Sequence, residues 1–202
     1  MTENTKNSAG FTIIELIVVM AVFLFIIGAA IGIFISIVKS QKKVLVEQQL
    51  VNQVSYVKEY MSKALRAAKV DSIGDYLGNK GDIYLLTHYD IGSGSYKGIK
   101  FINSLNSDIC EEFYFDSPNG TLQKVAGIGN SPVPLTSADI GINFSKSRFI
   151  INGSTSSGLF LANNSDDIQP RVTILLNISV SGQAPKIIQT TVSQRNLNVP
   201  QQ

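Results

Sequence analysis

The sequence contains one cysteine, Cys110, one histidine, His88, and no tryptophan. A lone cysteine excludes an intrachain disulfide, so a folded domain here must be held by its core alone. One cysteine and one histidine cannot supply a zinc site within the chain. A Ser-His-Asp or Cys-His catalytic set would have to use His88. That residue lies in Leu85-Leu86-Thr87-His88-Tyr89, which reads as a strand and not as a pocket. Glu111 and Glu112 are adjacent, and neighbouring strand residues face opposite ways, so they make a poor acid–base pair. No Gly-Lys-Ser/Thr phosphate loop is present. Asn163-Asn164-Ser165-Asp166-Asp167 offers oxygen ligands, but at no calcium-loop spacing. These absences point away from an enzyme, a metal site or a cofactor.

Charge is also scarce. Charged residues make up 16% of the chain against 44% hydrophobic, where a soluble domain has about 25% charged. The net charge of +2 is too small to imply a nucleic-acid partner. The apolar excess is concentrated in one place. From Leu16 to Ile35 no residue is charged, and at helical rise this run is about 30 Å long, the thickness of a bilayer's hydrocarbon core. A secretory signal peptide has a shorter apolar region followed by a small-residue cleavage site. Here Ile37-Val38-Lys39-Ser40-Gln41 passes directly into polar helix.

The segment before the apolar run is informative. Residues 1–10 are polar, with one base, Lys6, and they end at Gly10. Phe11-Thr12-Ile13-Ile14-Glu15-Leu16 follows. An acidic residue at the centre of a membrane helix costs about 2.5–3.5 kcal/mol, and less near the interface, so Glu15 either rests in the headgroup region or marks function or pairing. Gly10-Phe11-Thr12-Ile13-Ile14-Glu15-Leu16 resembles the signal of type IV prepilins, pseudopilins and related minor pilins. The resemblance implies that a prepilin peptidase cuts between Gly10 and Phe11 and methylates Phe11. It also implies that Glu15 pairs with the new N-terminal amine of a neighbouring subunit and fixes the stagger during assembly. Gly28 and Gly32 form a Gly-x-x-x-Gly pair suited to close helix packing.

Beyond the span, Val46, Leu50, Val54, Val57, Met61, Ala64 and Ala68 recur in steps of three and four, one stripe of a helix. No proline or glycine interrupts Ile33–Ile73, and Asp71-Ser72-Ile73-Gly74-Asp75 is the stop signal. The helix is therefore predicted from about Phe11 to about Val70. Its polar half carries Lys39, Lys42, Lys43, Lys58, Lys63, Arg66 and Lys69 against Glu47 and Glu59, which reads as a solvated face.

From Gly74 the pattern changes to short β-like runs. These are Ile83–Tyr89, Gly98–Ile102, Ile109–Phe115, Thr121–Val125, Ile140–Ile151, Gly158–Leu161, Val172–Val180 and Lys186–Ser193. Asp116-Ser117-Pro118-Asn119-Gly120 supplies turn chemistry for a hairpin, and Ser181–Pro185 for a second. Gln169-Pro170-Arg171-Val172-Thr173-Ile174 followed by Ile188-Gln189-Thr190-Thr191-Val192-Ser193-Gln194-Arg195-Asn196 is similar to the end of minor pilins and of J-like type II secretion pseudopilins.

The expected architecture is α+β, a long N-terminal helix packed by its second half on an antiparallel sheet. The segments are residues 1–10 as cleaved leader, 11–38 as the membrane-spanning and assembly half, 39–70 as the amphipathic half and 71–202 as a β-rich extracytoplasmic domain. The resemblance implies a structural subunit of a pilus-like or type II secretion filament. Its partners would be other pilin or pseudopilin subunits, prepilin peptidase, the lipid bilayer and, indirectly, an assembly ATPase and platform protein. The alternative is a minor pilin whose β-domain binds DNA or a surface ligand. Localisation is expected in the cytoplasmic membrane and then in a filament. Lys39, Lys42 and Lys43 after the span, against Lys6 and Glu3 before it, would place the C-terminal part inside by the positive-inside count. The resemblance implies the reverse. A periplasm-active reporter fused after Gln202 is expected to be active, and a cytoplasm-active one silent.

Overall fold

The computed structural model describes residues 10–137, 139–153, 169–180 and 183–195. The elements are α1 (Ile13–Arg66), β1 (Ala68–Lys69), β2 (Tyr84–Asp90), β3 (Ser95–Asn103), β4 (Ile109–Asp116), β5 (Thr121–Ala126), β6 (Val133–Pro134), β7 (Ile140–Ile142), β8 (Arg148–Asn152), β9 (Arg171–Val180) and β10 (Lys186–Ser193). This is the expected α+β class, one long helix and antiparallel sheets. The chain divides into two compact units, Met1–Gln48 and Gln49–Gln202.

In the first unit α1 is exposed throughout its apolar length, from Ile13 to Ile37. It is long and apolar enough to cross a membrane. In the second unit the remainder of α1 buries Leu50, Val57, Met61, Ala64 and Leu65. These sit one and two turns apart on a single face, as the periodicity requires. Full burial of a side chain such as Met61 stabilises by about 1.5–3 kcal/mol.

The helix ends at Arg66, four residues before the expected Val70. Ala68 and Lys69 leave it to pair with Asn103 and Ile102 of β3. No glycine caps this end. Instead the Leu65 carbonyl accepts the Tyr84 hydroxyl at 2.6 Å. The Arg66 carbonyl accepts the Arg195 N–H at 2.9 Å. The Ala67 carbonyl accepts the Ser104 N–H at 3.1 Å and its Oγ at 2.7 Å. Gln194 Nε2 donates to the Ala68 carbonyl at 2.9 Å. These tertiary donors satisfy carbonyls that the helix itself leaves open.

One sheet runs β1-β3-β4-β5-β6, with β2 on the same edge of β3 as β1. The other runs β10-β9-β7, with β8 also paired to β9. The hairpin β4–β5 closes at Asp116↔Thr121, and Gly120 takes the positive φ of 58° that its turn needs. The two inner faces and α1 share one core, in which Phe115 and Phe149 stack across the sheets at 4.9 Å.

The expected single strand Ile140–Ile151 is broken into β7 and β8 at Asn143–Ser147. The cause is Lys97, a wholly buried lysine on β3. Its Nζ donates to the carbonyls of Ser145 at 3.2 Å and Ser147 at 2.9 Å and lies 5.0 Å from the Phe144 ring. Burial pushes this ammonium below the ordinary lysine value, and Asp90 at 4.0 Å opposes that. A buried charge needs such partners, and they lie in a turn, not a strand. The short strands β1 and β6 were not predicted. The expected strand Gly158–Leu161 and the oxygen cluster Asn163–Asp167 lie outside the described residues.

The stop signal after the helix is built around Asp71. Its carboxylate accepts N–H groups from Ile73 at 3.2 Å, Gly74 at 2.8 Å, and Tyr76 and Leu77 at 2.9 Å each. Burial raises its pKa, but the four donors outweigh burial and the net shift is downward. A carboxyl whose folded pKa is depressed stabilises the fold above its unfolded value, and that stability is lost as pH falls through the folded value. The full chain in detergent is therefore expected to lose urea resistance as pH drops below about 4. Asp71→Asn is expected to cost about 1–3 kcal/mol at neutral pH and to flatten this acid limb.

Candidate functional site

The N-terminal site is built on the first turn of α1. Gly10, Phe11 and Thr12 precede the helix and are exposed, Phe11 at 82%. Thr12 Oγ1 accepts the Glu15 N–H at 3.3 Å, and the Leu16 N–H reaches the Thr12 carbonyl at 3.2 Å. Thr12 is thus the N-cap, and Thr12-Ile13-Ile14-Glu15 has the spacing of a capping box. A carboxylate in the first turn also favours the positive end of the helix dipole. Thr12 was missed as a cap in the sequence, although its Thr-x-x-Glu spacing was the available signal. The Gly10–Phe11 peptide lies outside the helix, in an exposed segment.

Gly28 and Gly32 lie one turn apart on α1, and apart from the helix's own backbone and their chain neighbours, nothing among the described residues lies within 4 Å of where a Cβ would sit. Lys39, Lys42 and Lys43 follow on the same helix and are exposed.

The sheet unit holds two ionic constellations. On its inner side Glu111 accepts from Asn103 Nδ2 at 3.0 Å and Asn106 Nδ2 at 2.7 Å, and Lys124 Nζ lies 3.1 Å away. Lys124 also donates to the Tyr60 hydroxyl of α1. Burial lowers the Lys124 pKa, but the bonds to Tyr60 and Glu111 raise it further, so it stays charged. This network joins helix to sheet.

On the outer side His88 has φ 54°, rare for a residue with a side chain. Its ring stacks on Tyr114 at 4.5 Å, and its Nε2 lies 3.1 Å from Glu112 Oε1. Thr87 Oγ1 donates to the same oxygen at 2.5 Å. Burial raises the Glu112 pKa, and the bonds from His88 and Thr87 outweigh it, leaving a net downward shift. Gly98 makes the room, because a Cβ there would lie 2.3 Å from Thr87 Oγ1 and 2.7 Å from His88 Cδ2. Thr87 donates to the carboxylate and not to the imidazole, so the set is not a hydroxyl–imidazole nucleophile pair. Glu111 and Glu112 do face opposite ways, as strand alternation required. Among the described residues no group of His, Cys, Asp and Glu is arranged to hold a metal. Cys110 is buried and free, and burial raises its thiol pKa.

A family model for the prokaryotic N-terminal methylation motif matches residues 5–31. That stretch contains the Gly10–Phe11 junction, Glu15 and the start of the apolar helix, and it is the type IV pilin signal. In this signal, and in the long apolar helix that follows it, the chain is similar to type IV pilin-like precursors. No curated protein and no solved structure matches the chain.

Gly98→Ala is expected to push the imidazole off Tyr114 and to cost about 1–3 kcal/mol by overpacking. Because His88 is the sole histidine, its ring proton resonances read this displacement without ambiguity.

Proposed function

We propose that this chain is a structural subunit, a minor pilin or a pseudopilin, of a type IV pilus-like or type II secretion filament, and not an enzyme. The observation that carries the reading is the methylation motif at residues 5–31 running directly into an apolar helix that is exposed from Ile13 to Ile37. Phe23, Phe25, Ile33 and Phe34 are each more than half exposed. Such a surface needs lipid before assembly and neighbouring helices after it. The machinery would comprise prepilin peptidase, other subunits and, indirectly, an ATPase and platform protein.

In this reading the peptidase cuts after Gly10 and methylates Phe11. Cleavage creates a cation at the positive end of α1, where the helix dipole disfavours it. A carboxylate is the group that offsets it, and Glu15 stands in the first turn. Pairing with a neighbour's Phe11 amine would satisfy both charges in apolar surroundings. Gly28 and Gly32 would serve close helix approach between subunits. The leader would stay cytoplasmic and the sheet unit would be extracytoplasmic.

Mass spectrometry of the assembled protein is expected to find methylated Phe11 as the first residue. Glu15→Gln is expected to be cleaved normally but to be depleted from filaments. An intact Met1–Gly10 leader on assembled protein would sink the processing claim, and full incorporation of Glu15→Gln the assembly claim.

A further inference from the structure

Strand β10 is an open edge. Its residues Lys186–Ser193 pair with β9 and, among the described residues, with no other strand. The inner face of β9 is closed, since Val172, Ile174, Leu176 and Ile178 are all buried. The inner face of β10 is not. Of Lys186, Ile188, Thr190 and Val192, only Val192 is buried. The core thus closes over the inner face of β9, whereas that of β10 is closed only at Val192 and half-buried at Lys186, Ile188 and Thr190. An uncovered strand edge presents unpaired N–H and C=O groups, here from Ile187 to Ser193, about 23 Å. Natural edges are blunted by proline, bulges or several charges, whereas β10 carries Lys186 as its one charged residue and no proline.

The space beside this edge has two chemistries. At one end a cleft lies between Val51 and Val54 of α1 and Ile188 of β10. Val51 is half exposed there. Ser55 and Lys58 also border a larger groove of about 970 Å³ that runs toward Arg66 and Arg195. Lys58, Lys63, Arg66 and Arg195 line that groove against one acid, Glu59, and form no ion pair among the described residues.

We propose that the β10 edge and this groove take an extended acidic segment of a partner polypeptide as an added strand. Its main chain pairs with β10, alternate apolar side chains enter beside Val51 and Ile188, and carboxylates meet the four cations. Pairing of β10 with β10 of a second copy is disfavoured, because it brings two identical sets of cations together. Nucleic acid is disfavoured too, because the lining includes no aromatic side chain on which bases stack and one end of the site is apolar. The proposal rests on the sheet edge and not on the N-terminal signal, so its failure leaves the processing reading untouched.

The test is amide hydrogen exchange on the full chain in detergent, with a blocked peptide Glu-Val-Glu-Val-Glu-Val-Glu-Val as probe. The amides of residues 186–193 are expected to exchange about tenfold more slowly at saturation. Affinity is expected to fall about tenfold at about 0.5 M salt and by a similar factor in the double variant Lys58→Glu/Arg195→Glu. Lys146→Glu, exposed and outside the groove, is expected to bind as wild type, and a lysine-for-glutamate peptide is not expected to bind. Any of four results would overturn the proposal: no protection of β10, binding indifferent to charge reversal, equal protection by a short DNA duplex, or much tighter peptide binding by a chain ended at Arg195. The last would mean that the chain's own tail occupies the groove.

Discussion

Where α1 ends at Arg66, four successive residues from Leu65 to Ala68 present carbonyls that the helix cannot satisfy. Their donors come from β2, from the turn after β3 and from the segment following β10. Tyr84 and Ser104 belong with one sheet, while Gln194 and Arg195 continue the other. Both sheets are therefore fastened to the same turn of helix. Without these donors the helix end would leave buried acceptors unpaired, at about 1–3 kcal/mol each. Chain direction after Arg66, the β1–β3 pairing and the Asp71 loop all follow from where that end is held.

Buried charge does a related job deeper in the sheets. Lys97 and Glu111 are both nearly inaccessible, and each is matched by partners from other strands and turns. Lys97 sets the break between β7 and β8. Glu111, through Lys124, sets the contact with Tyr60 on α1. Removing one partner of such a set is costly, because the remaining charge stays buried. That asymmetry favours a single arrangement of helix and sheets over several similar ones. The outer His88–Glu112 pair differs in kind. It is half exposed, and its backbone strain is held by the space at Gly98 and the Tyr114 ring.

The division between the two ends of the chain is chemical as well as structural. At the N-terminal end, the proposed function needs few groups: a peptide to be cut outside the helix, a cap, one carboxylate and an apolar rod. All are local in sequence. Among the described residues of the sheet unit, by contrast, no convergent catalytic cluster stands out, but an unfilled strand edge does. Recognition by such an edge uses main-chain groups and scattered cations, which leave no motif.

Much of this was legible in the residues alone. The uncharged run Leu16–Ile35 dictated a long exposed helix, because length and apolarity are local properties. The stripe from Leu50 to Ala64 dictated which face is buried, and alternation in Val172–Val180 dictated the inner side of β9. The Gly10-Phe11-Thr12-Ile13-Ile14-Glu15 pattern carried the signal that residues 5–31 bear. Tertiary structure decided the rest. The helix stops at Arg66 because its carbonyls find donors from strands far along the chain. Ile140–Ile151 splits because a lysine from β3 arrives beneath it, and His88 turns outward over a glycine on the neighbouring strand. The edge position of β10 follows from strand order, because among the described residues only β9 pairs with it. Each depends on groups separated by tens of residues, and no local pattern encodes that proximity.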